Sequence, residues 1–242
     1  MLQRASEEQH AFLRRSFPQI ERSVPHAAAF GERFLVPALR EAAALGKGHD
    51  MTLARNLALS RAAREAELDP AEVVEPAFAA FLAARSRVGD HIFPGVLAAL
   101  RALKGRGFRL VSLTNGNCDL KQCPELDELF EVQMSAERAG AAKPSPEPFL
   151  ALLLESGVQS HEVLHIGDSI ESDVRGAKSV GMQTIWVDRS VSGRPHEADL
   201  VIRCVADLPW LLDGLAAPAP GRQQLASSPA CAYQAPPQTG AA

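Results

Sequence analysis

The feature that most limits the fold of this chain is an alternation of apolar runs and helical segments from residue 93 onward. "FRLVSL", "EVLHI" and "QTIWV" are short, apolar and bounded by turn residues, as buried strands are. Helical patterns of about ten residues separate them, which is typical of βαβ units. The sequence therefore predicts an α/β fold, with a Rossmann-like parallel sheet that carries helices on both faces.

Turn and cap residues set the limits of the predicted helices. Pro94 and Gly107 bound "GVLAALRALKGR", and Ser145 and Gly157 bound "PEPFLALLLES". "ESDVRGAKSV" is a third helix that ends at Gly181, and "CDLKQCPELDELF" is a short polar helix. "EVQMS" and "DLVI" carry no strand prediction, and a short helix near "LPWLLDGL" ends the ordered part.

The rest of the chain divides into two further regions. Residues 1–88 have apolar residues at intervals of three and four, interrupted by Pro, Gly and Asp-Pro, which predicts an all-helical domain. Residues 89–214 would form the α/β core. Residues 215–242 are rich in Ala, Pro, Gln and Ser and have little to bury, so we predict a disordered tail.

Composition excludes several classes of protein. The formal net charge of −4 gives no basic face for nucleic acid. No apolar run reaches the ~20 residues of a membrane span, and the N-terminus lacks a secretory signal. The cysteines have neither disulfide nor zinc spacing; they are Cys118, Cys123, Cys204 and Cys231. We expect a cytoplasmic protein, unless a targeting peptide precedes Met1; the oligomeric state stays open.

Polar residues follow the predicted strands where each strand ends. Because the carboxyl ends of parallel strands share one edge, and ligands bind beyond that edge, we expect these side chains to converge on one crevice. The candidates are Thr114, Asn115, Lys143, Asp168 and Asp173.

This set of groups suits phosphoryl transfer. Two carboxylates with room for water suit Mg²⁺, which prefers oxygen ligands. Lysine adds a positive contact, and a Thr hydroxyl with nearby N–H groups can bind a phosphoryl oxygen. Each residue also has a structural alternative: Thr114 could close a turn, Lys143 could be a solvated loop lysine, Asp168 could cap a helix, and Asp173 could complement its dipole.

The motifs "LVSLTNGN", "AAKPSPEPF" and "VLHIGDSIESDVRGA" resemble, in order and spacing, motifs two, three and four of the haloacid dehalogenase superfamily of aspartate-nucleophile hydrolases. The preceding helical region resembles that family's cap domain, and the whole resemblance covers residues 5 to 213. It implies that Thr114 binds the phosphoryl oxygen together with Asn115 and Gly116, that Lys143 neutralises the nucleophile and phosphate, and that Asp168 and Asp173 hold Mg²⁺.

The same resemblance favours one activity. Dehalogenases of the family tend to lack the metal-binding carboxylate found here at Asp168, so a phosphatase acting on a small phosphorylated metabolite is expected. The "TNGN" version resembles the branch that contains flavin mononucleotide phosphatases. The cap of such proteins closes over the site and contacts the leaving group of the substrate. In this helical region, Arg55, Arg61 and Arg85 could either contact an anionic substrate or be solvated residues on helix faces.

One family motif has no counterpart in the sequence. The family's first motif is a central strand that ends in D-x-D-x-T and supplies the nucleophile and the general acid and base. No D-x-D occurs in these 242 residues. Losing the strand would leave central backbone groups unpaired at ~1–3 kcal/mol each. We therefore expect a missed first exon or misplaced start, and an inactive chain, rather than a protein that evolved without the strand.

Two other functions stay open. A non-catalytic pseudo-phosphatase could bind a phosphorylated ligand or a protein partner. A receiver-type phosphoacceptor domain also combines Asp, Thr and Lys around Mg²⁺, but its acids come before its Thr and Lys along the chain, the reverse of the order here. His165 alternates with Leu164 and Ile166 on a predicted strand, so we interpret it as a core residue.

Overall fold

Helices fill the first part of the chain, where the apolar period is helical. The computed structural model describes residues 2–216, with side chains for residues 5–213. Through residue 86, which we call the helical segment, the α-helices are α1 (Leu2–Ser16), α2 (Ala27–Phe30), α3 (Val36–Ala44), α4 (Met51–Glu65) and α5 (Pro70–Ser86). A π-helical stretch, Gly31–Leu35, joins α2 to α3.

Local side-chain contacts start these helices. The carboxylate of Asp50 accepts a hydrogen bond of 2.7 Å from the Leu53 N–H, and that of Asp69 accepts one of 2.9 Å from the Ala71 N–H. Each contact satisfies a donor that the first turn leaves free. A continuous apolar core, which includes Phe34, Leu59 and Val73, packs the helices against one another.

Strands and helices alternate in the α/β part, residues 96–216. Its helices are α6 (Val96–Gly105), α7 (Pro124–Asp127), α8 (Ala136–Ala139), α9 (Pro146–Ser156), α10 (Gly176–Ser179) and α11 (Leu208–Ala216). Its strands are β1 (Val111–Thr114), β2 (Val132–Ser135), β3 (Leu164–Gly167), β4 (Gln183–Val187) and β5 (Leu200–Ile202).

Two of the predicted helices, "CDLKQCPELDELF" and "ESDVRGAKSV", are less regular than the sequence suggested. In the first, a 3₁₀ turn (Leu120–Gln122) precedes α7, because Pro124 cannot continue a helix from the residues before it. In the second, a π-helical turn (Ile170–Arg175) precedes α10. The segments "EVQMS" and "DLVI", for which no strand was predicted, contribute β2 and β5.

All strand pairs within residues 2–216 are parallel, which confirms the predicted α/β fold. β1 pairs with β2 in the register Val111 with Val132. β4 lies between β3 and β5, with Leu164 opposite Gln183 and Ile185 opposite Leu200. The strands form two sheets, β1-β2 and β3-β4-β5, in the described part of the chain. The absence of a central strand, expected from the sequence, stays a prediction.

Helices cover both faces of the strands. On one face, Leu103 of α6 and Leu208 of α11 pack with Leu164 and Ile166 of β3. On the other, Phe149 of α9 packs with α10. The ring of His165 meets that of Phe149 edge-on at 5.3 Å, because alternate residues of a strand point to opposite faces.

Several expectations lie partly or wholly outside these findings. The domain limits at 88 and 214 stay predictions. The tail predicted for 215–242 lies outside the described residues from 217 onward, and its first two residues, 215 and 216, belong to the end of α11.

Of residues 2–216, no helix combines the length and apolarity that a membrane crossing requires. A cytoplasmic location stays a prediction. Cys118, Cys123 and Cys204 are free thiols.

Candidate active site

The predicted site residues meet at the carboxyl ends of β1 and β3. Thr114 is the last residue of β1, and Asp168 follows directly after β3. Lys143 lies in the loop before α9, and its side chain reaches both neighbouring elements. Its Nζ donates to the Leu113 carbonyl at 2.8 Å and to Asp173 Oδ1 at 2.7 Å. The structure thus places hydroxyl, ammonium and carboxylate groups in one crevice.

Asn115 fixes the backbone that carries Lys143. Its side-chain Nδ2 donates to the Lys143 carbonyl at 2.9 Å, and its Oδ1 accepts from the Lys143 N–H at 2.8 Å. Both ends of the carboxamide are therefore used to join the loop after β1 to the loop before α9. This geometry gives Asn115 a positioning role; direct contact with a substrate stays a prediction.

Thr114 closes a turn and keeps a donor free. Its Oγ1 accepts a hydrogen bond of 2.9 Å from the Gly116 N–H, which is the turn-closing alternative considered for this residue. A hydroxyl that accepts in this way can still donate its own hydrogen. Thr114 can therefore hold its loop and bind an anionic oxygen at the same time.

Asp173 is the most densely bonded acid of the site. Its side chain is 8% exposed and pairs with Lys143, whose side chain is 10% exposed. Oδ2 accepts from the Ser169 N–H at 3.0 Å, and Oδ1 lies 3.3 Å from His165 Nε2. Burial by itself would raise the pKa of Asp173. The His165 hydrogen bond, the charge and hydrogen bond of Lys143, and the Ser169 N–H outweigh burial and hold this pKa well below its usual range.

Two supporting residues were missed or undervalued by sequence reasoning. His165 is a packed residue of β3, as expected, but it also contacts Asp173. The glycine at 167 makes room for the same acid, since a Cβ there would lie 2.2 Å from Asp173 Cγ. The glycine directly before Asp168 was the one feature of the sequence that could have indicated this close contact.

Asp168 has a different environment from Asp173. Its side chain is exposed at the edge of the crevice, and its backbone carbonyl accepts from Trp186 Nε1 at 3.1 Å. The two carboxylates provide the oxygen donors that Mg²⁺ prefers. Among residues 5–213, no group of three or more His, Cys, Asp or Glu side chains assembles as a metal site. The donor chemistry thus fits Mg²⁺ with much of its coordination supplied by water or by another segment.

A cleft of about 680 Å³ separates the two sheets. β1 lines one wall through Val111, Ser112 and Leu113, and β3 lines the other through Leu164 and Ile166. Apolar side chains of α6, α9 and α11 close its two faces. Lys143 contacts Leu113, which lines the cleft, and also Asp173. Within residues 2–216, β1 and β3 each pair with one strand only.

The helical segment contacts the site at two places. Thr52 at the start of α4 approaches Asn117 and Glu137, at 3.4 Å each. Arg85 near the end of α5 lies against Gly116, and its backbone carbonyl accepts from Cys118 Sγ at 3.8 Å. Arg61, another candidate for substrate contact, instead pairs with Glu41 on the surface.

Comparisons with known proteins agree with the geometry. A family model described as haloacid dehalogenase-like hydrolase matches residues 7–181. A phosphoglycolate phosphatase of Rhodospirillum rubrum is 30% identical over 194 residues, which cover 77% of this chain and 79% of that protein. A glyceraldehyde 3-phosphate phosphatase of Pyrococcus furiosus is 36% identical over 132 residues. That alignment covers 50% of this chain and 53% of the relative, so the chain spans about half the length of that protein.

A solved structure extends the likeness over most of the fold. It is a 2-haloacid dehalogenase from Pseudomonas syringae pv. Tomato DC3000, with a TM-score of 0.74 and 28% identity. The match covers 89% of this chain and 92% of the other.

Proposed function

Since the chain belongs to the haloacid dehalogenase-like hydrolases, we propose that its crevice serves the hydrolysis of a small phosphate monoester. The carrying observation is the buried cluster of Lys143 and Asp173 beside the free hydroxyl donor of Thr114. Relatives described as phosphatases of phosphoglycolate and glyceraldehyde 3-phosphate support a small phosphorylated substrate.

The residues present would bind and orient the phosphoryl group. Thr114 would donate to a non-bridging oxygen, and Lys143 would neutralise its charge, because phosphoryl transfer depends mainly on positioning and electrostatic stabilisation. Asn115 keeps the Lys143 backbone in place, and His165 and Ser169 keep the Asp173 carboxylate ionised. Asp168 and Asp173 would hold Mg²⁺, which when bound would offset the negative charge of the phosphoryl oxygens.

In this proposal the nucleophile would come from a segment outside these 242 residues. The cleft between β1 and β3 supports this part of the proposal, because it offers two strand edges and apolar walls. A parallel strand in it would end next to Lys143. By the family resemblance that strand would carry the aspartate nucleophile and the acid and base, so the chain by itself would be inactive.

Two alternatives follow from specific observations. The likeness to a 2-haloacid dehalogenase favours dehalogenation as a second activity. The carboxylate of Asp168, exposed where a metal could bind, argues for the phosphatase. A non-catalytic binder of a phosphorylated ligand would keep Thr114 and Lys143 and need no nucleophile.

Restoring the strand tests the proposal. The chain would be extended at its N-terminus with an apolar strand that ends in D-x-D-x-T, and a matched control would carry Asn at both acidic positions. We expect phosphate release from small phosphate esters by the extended chain with Mg²⁺, and none by the control or by the chain alone. Chloride release from a haloacid would favour the dehalogenase. Hydrolysis by the unextended chain would contradict the account of the nucleophile.

A further inference from the structure

Arg85 brings a cation from the helical segment to the phosphoryl-binding loop. Its side chain leaves α5 and is buried, with 9% of the residue exposed. An ideal Cβ at Gly116 would lie 2.1 Å from Arg85 Nη2 and 3.3 Å from Thr114 Oγ1. The guanidinium and the hydroxyl therefore flank the same point, and only a glycine at 116 leaves room for both.

Among residues 5–213, no acidic side chain neutralises the guanidinium of Arg85. Its Nε–H has no hydrogen-bond partner, and no acid among residues 5–213 forms an ion pair with it. The nearby Cys118 thiol stays uncharged, because burial raises its pKa. Burial also lowers the pKa of Arg85, which reflects the cost of removing this cation from water. An unpaired buried charge of this kind is rare unless a ligand completes it.

Arg55 is a second buried arginine near Arg85, and its guanidinium has partners within the protein. It is 2% exposed, donates to Gln9 Oε1 at 2.7 Å, and lies over the Phe81 ring at 3.6 Å. Burial and the charge of Arg85 lower the pKa of Arg55 to about 10. Arg55 thus adds positive potential behind Arg85, while its own hydrogen-bonding and stacking partners lie inside the helical segment.

We propose that Arg85 binds a carboxylate of the substrate, so that the chain selects small phosphate monoesters that carry a carboxylate close to the phosphate. This inference rests on the proposed function. The phosphoryl group already has Thr114 and Lys143 as partners, whereas the planar fork of Arg85 matches a carboxylate with two parallel hydrogen bonds. Its place beside Thr114 limits the two anionic groups to a separation of a few bonds.

Ligand binding to the chain as it exists tests this assignment without turnover. Two probes of similar size would be titrated by calorimetry in the presence of Mg²⁺: phosphoglycolate, and ethylene glycol monophosphate, which has a hydroxymethyl group in place of the carboxylate. The proteins would be the wild type, Arg85→Gln, Arg85→Lys and the matched control Arg61→Gln. Thermal melts without ligand would show that each variant is folded.

We expect the wild type to bind phosphoglycolate about 10- to 100-fold more tightly than the neutral ester, as a charge-assisted bidentate contact would give. Arg85→Gln should abolish that preference and leave the neutral ester within about twofold. Arg85→Lys should retain part of it, and Arg61→Gln all of it. The melting temperature of Arg85→Gln should not fall, because no residue of 5–213 forms a side-chain hydrogen bond or ion pair with Arg85 that would be lost.

Other results would overturn the inference. If both esters bind to the wild type with equal affinity, or if Arg85→Gln weakens both equally, Arg85 does not read a carboxylate, while the proposed phosphate site stands. If neither ester nor inorganic phosphate binds to the folded wild type, the inference fails together with the proposed function.

Discussion

The helical segment and the α/β part satisfy their backbones in different ways. Helices pair their N–H and C=O groups within one stretch of chain, so α1 to α5 enclose a continuous core without help from other segments. Strands depend on neighbours. β1 and β3 face each other across a cleft, and within residues 2–216 each pairs with one strand only. Removing one segment therefore leaves more backbone groups unpaired in a sheet than in a helical bundle.

The largest effect should come from filling the cleft. An N-terminal extension with an apolar strand should stabilise the α/β part by roughly 3–6 kcal/mol, because it pairs backbone groups on both edges and buries apolar walls. Hydrogen exchange would check this: amides of β1 and β3 should become protected and those of α4 should not change. Equal protection everywhere would contradict the contrast between the two parts.

The loss of unfolding free energy on truncating a leucine to alanine should differ between the helical core and the cleft wall. Leu59→Ala in the fully buried helical core should cost about 4 kcal/mol, because it leaves a cavity among fixed neighbours. Leu164→Ala on the cleft wall should cost about 1 kcal/mol, since its side chain already borders open space. Calorimetric unfolding of each variant measures both. In the strand-extended chain the cost of Leu164→Ala should rise; a constant cost would mean that the strand does not enter the cleft.

Breaking the buried pair should have the next largest effect. Lys143→Met should cost about 3 kcal/mol at neutral pH, since it leaves Asp173 without its cation, although His165 and Ser169 remain. The pKa of Asp173 is lowered in the folded state, so its contribution is present at neutral pH and is lost as the pH falls below about 4, the unfolded value. Lys143→Met should lose less stability than the wild type over that acid range in urea unfolding. The double variant Lys143→Met/Asp173→Asn, as the control, should recover most of the neutral-pH loss.

The smallest effect concerns Asp207, before α11. Among residues 5–213 no group forms a hydrogen bond with its buried Oδ1, and burial raises the pKa of this carboxyl. A raised folded pKa means that the ionised form is penalised, so wild-type stability at this site is greatest in acid and falls as the pH rises through the folded pKa. Asp207→Asn should be more stable than the wild type at neutral pH by less than about 1 kcal/mol, with no gain in acid. A neutral-pH loss in thermal melts would show that the charge has a partner.

The sequence predicted the elements of the site better than its contacts. Apolar runs bounded by turn residues predicted β1, β3 and β4. The rule that parallel strands end at one edge of a sheet predicted that Thr114, Lys143 and Asp168 lie close together. β2 and β5 were not predicted, because Val132–Ser135 alternates apolar and polar residues over only four positions and Leu200–Ile202 has only three residues. His165 was interpreted as a core residue, and Arg85 was left as either a substrate contact or a solvated helix residue. Their contacts with Asp173 and Gly116 join separate elements, which local pattern does not reveal.

The sequence by itself determined the family, the α/β alternation and the absence of a D-x-D nucleophile, since these depend on local pattern, order and composition. The tertiary structure decided that Lys143 pairs with Asp173, that Asn115 holds Lys143 and that a cleft lies between β1 and β3. It also decided that Arg85 faces Gly116 with no counter-ion among residues 5–213. Those features depend on which surfaces meet and what they exclude from water. Burial and distance, which set the strength of each charge, exist only after the chain has packed.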